Sequence, residues 1–215
     1  DYNATVLVTT IDENNPRSKY LMVNGVGMTV LTPITKVMAH LPLFGLPEGP
    51  KRALVICLGM GTTFRSVASW GIPVTAIELT PSVGELFSYF FDDANRILAQ
   101  KSNQIIIDDG RRFLQRTSEK YDLITIDPPP PIEAAGSSLL YSEEFYEIVK
   151  TRLTTNGILA QWYPEKMTKT LQAVTRSLVD VFPYVEVYKT MPGEGHHFLA
   201  SNNPIVIPAP EQIVQ

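Results

Sequence analysis

The stretch that most constrains this chain runs from Ala53 to Gly61, ALVICLGMG. Its apolar residues, Ala53 to Leu58, are too few for a core helix and branched enough to form a strand buried on both faces. Gly59-Met60-Gly61 then supplies a turn where a ligand can approach bare backbone, because neither glycine carries a Cβ. A helix from Thr62 to Trp70 follows, and its free N–H groups point at the gap. A second strand, Val74 to Leu79, delivers Glu78. In nucleotide-binding α/β folds an acid about 20 positions beyond the first glycine accepts hydrogen bonds from ribose hydroxyls. The spacing points to an adenosine site. A dinucleotide fingerprint would place a third glycine where Phe64 stands, so a pyrophosphate is a poorer fit. An ordinary strand-turn-helix would explain the glycines alone, and Glu78 is what tips the reading toward a ligand.

Strand and helix signals alternate from Arg52 onward, the mark of a doubly wound sheet. Beyond the first two strands, helices at 82–99, 111–117, 142–153 and 167–181 separate strands at 104–108, 121–127, 157–163 and 184–189. The rhythm then breaks. Too few residues lie between Lys189 and the last strand, 197–201, for a crossover helix, so these two strands are expected to be antiparallel neighbours. Upstream, residues 5–31 alternate around Asn24-Gly25, a strong hairpin signal, and predict strands near 4–11, 19–24 and 26–31. Thr32-Pro33 opens a helix over 33–41 that is expected to stop before Pro42. The chain therefore divides into a small β-unit with its helix (1–44), a linker (45–51), an α/β domain (52–203) and a C-terminal surface coil (204–215).

Composition narrows the function. With 22 acidic against 18 basic side chains and no long basic run, the chain is not built around a nucleic-acid groove. One cysteine, Cys57, excludes a disulfide framework and points to a reducing, cytoplasmic compartment. No apolar run reaches the length of a membrane span.

Ligands of open α/β sheets lie outside the carboxyl ends of the strands. Those ends carry Gly59 to Gly61, Glu78, Asp108-Asp109-Gly110 and Asp127. Asp109, beside Gly110, can accept a hydrogen bond from an adenine amino group, and either aspartate can instead cap the helix that follows. Asp127 opens a run of four prolines, a stiff loop that holds its carboxylate with little freedom for an amino or sulfonium group. Tyr141 either lines the substrate side or sits in the core. Trp162 and Tyr163 either wall a pocket or close the core. His196 and His197 lack the partners of a metal site and read as structural, so no metal is expected.

With these residues in view, the chain resembles a known family. HLPLF from His40, LGMG from Leu58, Glu78, DDGRRFL from Asp108, YDLITID from Tyr121 and LLYSEEFY from Leu139 are similar to the spermidine synthase family of aminopropyltransferases. GMGTTFRS and DPPPPIEAAGSSLLYS look like a bacterial spermidine-synthase-like branch whose domain often follows membrane-spanning regions. The resemblance implies a seven-stranded adenosylmethionine-dependent methyltransferase-like Rossmann sheet, ending in an antiparallel hairpin and preceded by a small β-unit. It implies a transferase moving an aminopropyl group from decarboxylated S-adenosylmethionine to a small-molecule amine, with methylthioadenosine as product. Gly59 and Gly61 would lie beside the ligand, with Glu78 on the ribose, Asp109 on the adenine and Asp127 on the aminopropyl nitrogen. Asp127 and Tyr141 are the catalytic candidates. A homodimer is compatible with it, as is a membrane region upstream that tethers the domain. The family's strand-four loop carries a second aspartate where this chain has Pro130, and proline accepts no proton. Glu133, Tyr141 and Glu165 are the alternative acceptors. Two rival readings are a methyltransferase using S-adenosylmethionine and yielding S-adenosylhomocysteine, with Arg65 as the cation for its carboxylate, and a non-catalytic adenosyl-binding module.

Overall fold

Asn24 and Gly25 take φ of 53° and 76°, the paired positive angles that a two-residue hairpin turn requires. They close a three-stranded antiparallel sheet of β1 (Val6–Thr10), β2 (Lys19–Val23) and β3 (Val26–Val30). The computed structural model describes residues 4–15, 18–47, 49–130, 134–164, 168–190, 192–193 and 195–209, with no side-chain description of Ala135 and Thr168.

Helix α1 (Ile34–Phe44) runs through Pro42 and does not stop at 41. Pro42 falls in the last turn, where it gives up one backbone bond and buries its ring, and Gly45 N–H closes the helix on the Pro42 carbonyl. Its buried Ala39 and Leu43 join the core under the large sheet with Ala53 and Val55. By packing, α1 thus belongs with the large sheet.

That sheet has the order β6-β5-β4-β7-β8-β10-β9. Its members are β4 (Ala53–Ile56), β5 (Val74–Glu78), β6 (Gln104–Ile107), β7 (Tyr121–Ile126), β8 (Leu153–Tyr163), β9 (Tyr184–Tyr188) and β10 (His196–Ser201). The first five positions in that order are parallel, and β10 is antiparallel to both neighbours, as the short connection after Lys189 requires. All four residues of β4 are buried, matching the strand read as covered on both faces. From β4 the chain winds outward through β5 and β6, then returns to β7 on the other side. The β4–β7 seam is therefore the switch point, where an open sheet leaves a crevice.

The connecting helices are α2 (Thr62–Ala68), α3 (Pro81–Glu85), α4 (Phe87–Phe90), α5 (Ala94–Leu98), α6 (Gly110–Arg116), α7 (Ala135–Leu139), α8 (Glu143–Arg152) and α9 (Thr168–Val181). The single helix read over 82–99 is instead α3, α4 and α5. Phe87 packs under the large sheet while Phe90 packs toward the small one, and Phe91 turns extended between α4 and α5. One straight helix cannot serve both cores. Helix α7 had no sequence signal, and β8 begins at Leu153, four residues before Gly157, across a register shift opposite Tyr121 and Leu123. Residues 204–209 form no helix or strand, yet Ile205 and Ile207 lie against the core beside Gly45, so this stretch is more than a surface coil.

The two sheets meet through a small cluster of Leu21, Met60, Val83 and Phe90, with Val6, Val8, Val23 and Met28 against it. Gly61, the left-handed cap of α2 at φ 84°, leaves no room beside it: an added Cβ would lie 2.4 Å from Phe87 Cδ2. Gly71 has φ 72° and open space around it. Gly71→Ala is therefore expected to cost about 1 kcal/mol, from the backbone alone. Gly61→Ala carries the same backbone cost plus overpacking, about 2–4 kcal/mol in all. Urea unfolding midpoints of the two variants measure the difference.

Candidate active site

At the carboxyl ends of the parallel strands the structure forms a cleft of about 710 Å³. Its floor is Cys57 to Met60 with Thr62 and Thr63, and its sides are Glu78 to Thr80, Asp108 to Gly110, Asp127 to Pro130 and Ser137 with Leu140 and Tyr141. Of the residues singled out by sequence, Gly59, Glu78, Asp109, Asp127 and Tyr141 all border it. Gly61 stands one step back as the cap of α2.

Glu78 is buried and holds the floor in place. Its Oε2 accepts from Leu58 N–H at 3.1 Å and its Oε1 from Thr80 N–H at 2.9 Å, tying the end of β4 to the end of β5. Burial raises its pKa, and the backbone donors at Thr80, Gly59, Leu58 and Leu79 pull it back toward the ionised form. Leu58 and Thr80 thus hold one oxygen each.

Cys57, between β4 and the glycine turn, has φ 69°, a left-handed angle that costs a non-glycine residue on the order of 1 kcal/mol or more. Burial and the nearby Glu78, Asp127 and Asp109 carboxylates push its thiol well up, which favours the protonated form. Gly59, at φ 55°, has open space on the cleft side, with Thr29 Cγ2 3.7 Å from a virtual Cβ. The turn is thus a cradle of bare backbone, which fits an adenosyl ligand's close approach.

The two aspartates after β6 divide the work. Asp109 Oδ1 caps α6 by accepting from Arg112 N–H at 2.8 Å, and Asp108 accepts from Asp109 N–H and pairs with Arg116. Capping occupies one oxygen of Asp109. Asp109 also borders the cleft.

Among the described residues, the Asp127 carboxylate has no hydrogen-bond or ion-pair partner to match. Desolvation alone raises its carboxyl to about 7. The loop behind it is fixed by Ser137 on α7, whose hydroxyl donates to the Pro129 carbonyl at 2.6 Å. Tyr141 stacks edge-on to Tyr163 at 6.0 Å, and burial, then Asp127, pushes its phenol further up. At neutral pH its phenol is therefore protonated. Glu133 and Glu165 lie outside the described residues.

Arg65, the cation considered for a ligand carboxylate, is committed elsewhere. Its Nε bonds Asp93 Oδ1 at 2.8 Å and its guanidinium lies 5.1 Å from the Phe91 ring. Among the described residues, the cleft lining contains no lysine or arginine. No group of three or more His, Cys, Asp and Glu among them is arranged to hold a metal ion, and no helix among them is long and apolar enough to cross a membrane.

Two contributions escaped the sequence. The outer wall is Leu21, Val23, Met28, Thr29, Val30, Thr32, Ile34 and Thr35, brought in by docking of the small sheet and the start of α1. Thr63 locks that wall by donating to the Thr35 carbonyl at 2.9 Å. Gln161 is a buried polar side chain in the apolar second half of β8. It accepts from the Tyr146 hydroxyl at 2.6 Å and donates to the Leu140 carbonyl at 3.2 Å, which positions Tyr141. A lone glutamine inside the ILAQWY run was the available signal.

A spermine/spermidine synthase domain matches residues 32–199. The chain belongs to the spermine/spermidine synthase family. Curated relatives include the polyamine aminopropyltransferases of Saccharolobus islandicus, 31% identical over 57% of this chain and 42% of that protein, and of Sulfurisphaera tokodaii, 29% identical over 67% and 49%. The chain spans about half the length of these family members. A spermidine synthase solved in complex with the transition-state analogue AdoDATO superposes with a TM-score of 0.82 at 21% identity, covering 99% of this chain and 75% of that one. Human methyltransferase-like protein 13, solved with SAH, gives 0.62 at 19%, covering 84% and 85%. These two share the family's fold, a methyltransferase-like sheet with its antiparallel hairpin.

Asp127 generates a pH prediction. Below about pH 4 its carboxyl is neutral whether folded or unfolded. From there to about 7 it is neutral when folded and ionised when unfolded, so the folded state holds the extra proton and stability falls as pH rises through this window. Asp127→Asn lacks that loss. Relative to wild type it should gain about 2–4 kcal/mol between pH 4 and pH 7.5, at 1.36 kcal/mol per pH unit, measured by urea unfolding.

Proposed function

We propose that this domain is an aminopropyltransferase whose donor is decarboxylated S-adenosylmethionine. The observation that carries the reading is the order of groups along neighbouring strand ends: acids at β6, β5 and β7 flank bare backbone after β4, all on one cleft. Strands lie 4.7–4.9 Å apart, so β6 to β7 spans roughly 14 Å, in line with an adenosyl group extended by a short chain. Asp109 would meet the adenine, Glu78 the ribose hydroxyls, and the Gly59 turn the sulfur end. Asp127 would hold the aminopropyl nitrogen.

When bound, the sulfonium makes the adjacent carbon electrophilic and leaves as a neutral thioether. The chain's own residues supply alignment, worth far more than any single proton transfer. Asp127, poised near neutrality by burial, can also take the proton from the attacking amine, a role that suits an acid with a pKa close to the operating pH. Pro130 contributes stiffness where a second carboxylate would otherwise share that duty. Arg65's commitment to Asp93 and the lack of lysine or arginine among the described lining residues weigh against S-adenosylmethionine, whose carboxylate would face Asp127 uncompensated.

Calorimetry tests the donor site. Methylthioadenosine should bind, and Glu78→Ala should weaken it by about 1–3 kcal/mol, the cost of unpaired polar groups. Equal affinity in the variant would remove Glu78 from the site. The decarboxylated donor should bind at least ~10-fold more tightly than S-adenosylmethionine, a difference of about 1.4 kcal/mol, and the reverse preference would favour methyl transfer. Pro130→Asp should raise turnover with a diamine acceptor if the missing carboxylate limits the reaction, with donor affinity followed on the same variant.

A further inference from the structure

One buried amide joins three elements behind Asp127. Gln161, 1% exposed on β8, stands in register beside Ile126 of β7, the residue before Asp127. Its Oε1 accepts from the Tyr146 hydroxyl of α8, and its Nε2 donates to the Leu140 carbonyl in the turn between α7 and α8. The amide fits only one way round. A carbonyl accepts and never donates, so the NH2 faces Leu140, and Tyr146, whose phenol burial holds in the protonated form, donates to the amide oxygen. Tyr141 follows Leu140 directly. It is 6% exposed, borders the cleft with Leu140 and Asp127, and lies near enough to Asp127 for the carboxylate to act on its phenol. Burying two polar side chains costs desolvation, and an apolar pair of similar shape would serve packing as well. Stability alone does not call for Gln161 and Tyr146.

We infer that Gln161 and Tyr146 are positioning residues for Asp127: they pin the Leu140-Tyr141 turn against it, which keeps water from its carboxylate and fixes where that carboxylate points. This deepens the reading under Proposed function, and rests on it for the role of Asp127 toward the two amines. Neither side chain belongs to the cleft lining, so each acts through the turn. With the amide removed, the Leu140 carbonyl loses its donor and gains by moving toward water. Tyr141 moves with it. Asp127 is then hydrated, and the proton affinity that burial confers on it falls. Among the described residues, the other titratable groups around it are Cys57 after β4, Glu78 at the end of β5, Asp108 and Asp109 before α6, and Tyr141 with Tyr163 behind it and His196 in register beside Tyr163. Their own titrations are common to wild type and Asp127→Asn, so a comparison of the two isolates Asp127.

The test compares whole-chain wild type with Asp127→Asn by urea unfolding at pH 4 and pH 7.5, then repeats the pair in Gln161→Leu, in Tyr146→Phe and in the double variant. The stability that Asp127 forfeits across this window should shrink by at least half in Gln161→Leu, and Tyr146→Phe should shrink it in the same direction. The double variant should lose no more than Gln161→Leu alone, because both substitutions act through one turn. A fall in stability equal at the two pH values, with the Asp127 difference intact, makes the pair structural and overturns the inference. Losses that sum in the double variant overturn it too. Should Gln161→Leu fail to fold, Tyr146→Phe, which removes a single hydroxyl, carries the comparison. In turnover of decarboxylated S-adenosylmethionine with 1,4-diaminobutane, Gln161→Leu should lower kcat at least tenfold and move the acid limb of kcat/KM down by about 0.5 pH or more, with methylthioadenosine affinity within twofold of wild type. An acid limb and kcat both unchanged overturn the inference. If wild type neither binds methylthioadenosine nor turns over, the donor reading fails, and the unfolding comparison, which needs no ligand, still decides whether the pair positions Asp127.

Discussion

The site depends on one buried carboxylate. Glu78 receives Leu58 N–H on one oxygen and Thr80 N–H on the other, so the ends of two neighbouring strands are stitched by a single side chain. Without it, the backbone donors after β4 would be buried beside a cavity with no acceptor, at a cost of about 1–3 kcal/mol for each group left unpaired. The left-handed Cys57 and Gly59 follow from this tie, because the chain must turn sharply to leave β4 with its N–H groups aimed at Glu78. The proposed ligand site and the structural restraint are here the same atoms.

A second constraint is topological. An open sheet whose chain winds one way from β4 and then the other leaves a crevice at the seam, whatever side chains fill it. The acids are meaningful because successive strands deposit them along that crevice in sheet order. Their order in sequence is 78, 108 to 109 and 127, whereas in space β4 and its glycine turn stand between Glu78 and Asp127.

Much of this was legible in the residues. The sheet, its hairpin ending and the strand-end acids follow from local pattern: branched apolar runs, glycine at the turn, and a connection too short for a crossover. For Asp108 and Asp109 the sequence left capping and ligand binding as a choice, and the structure gives one oxygen of Asp109 to the cap of α6. Other features depend on partners far away in sequence. The split of residues 82–99 follows from Phe87 and Phe90 serving different cores, which no periodicity within the segment reveals. Pro42 looked like a stop because its ring breaks a helix interior, yet so near the end it forfeits little. The raised pKa of Asp127 needs burial by elements from several parts of the chain. The outer wall of the cleft exists only because the small sheet docks on the large one.

That docking passes through Met60. The residue between the two glycines buries its side chain with Leu21 of the small sheet, Val83 and Phe90, while Gly59 before it lines the cleft. Floor and wall are therefore mechanically one piece. A ligand that steadies the turn also steadies the seat of β1 to β3, and local opening of the small sheet becomes linked to ligand occupancy through mass action. Amide hydrogen exchange in three strands, most of whose residues touch no ligand, would thus report on a site formed largely by the other sheet.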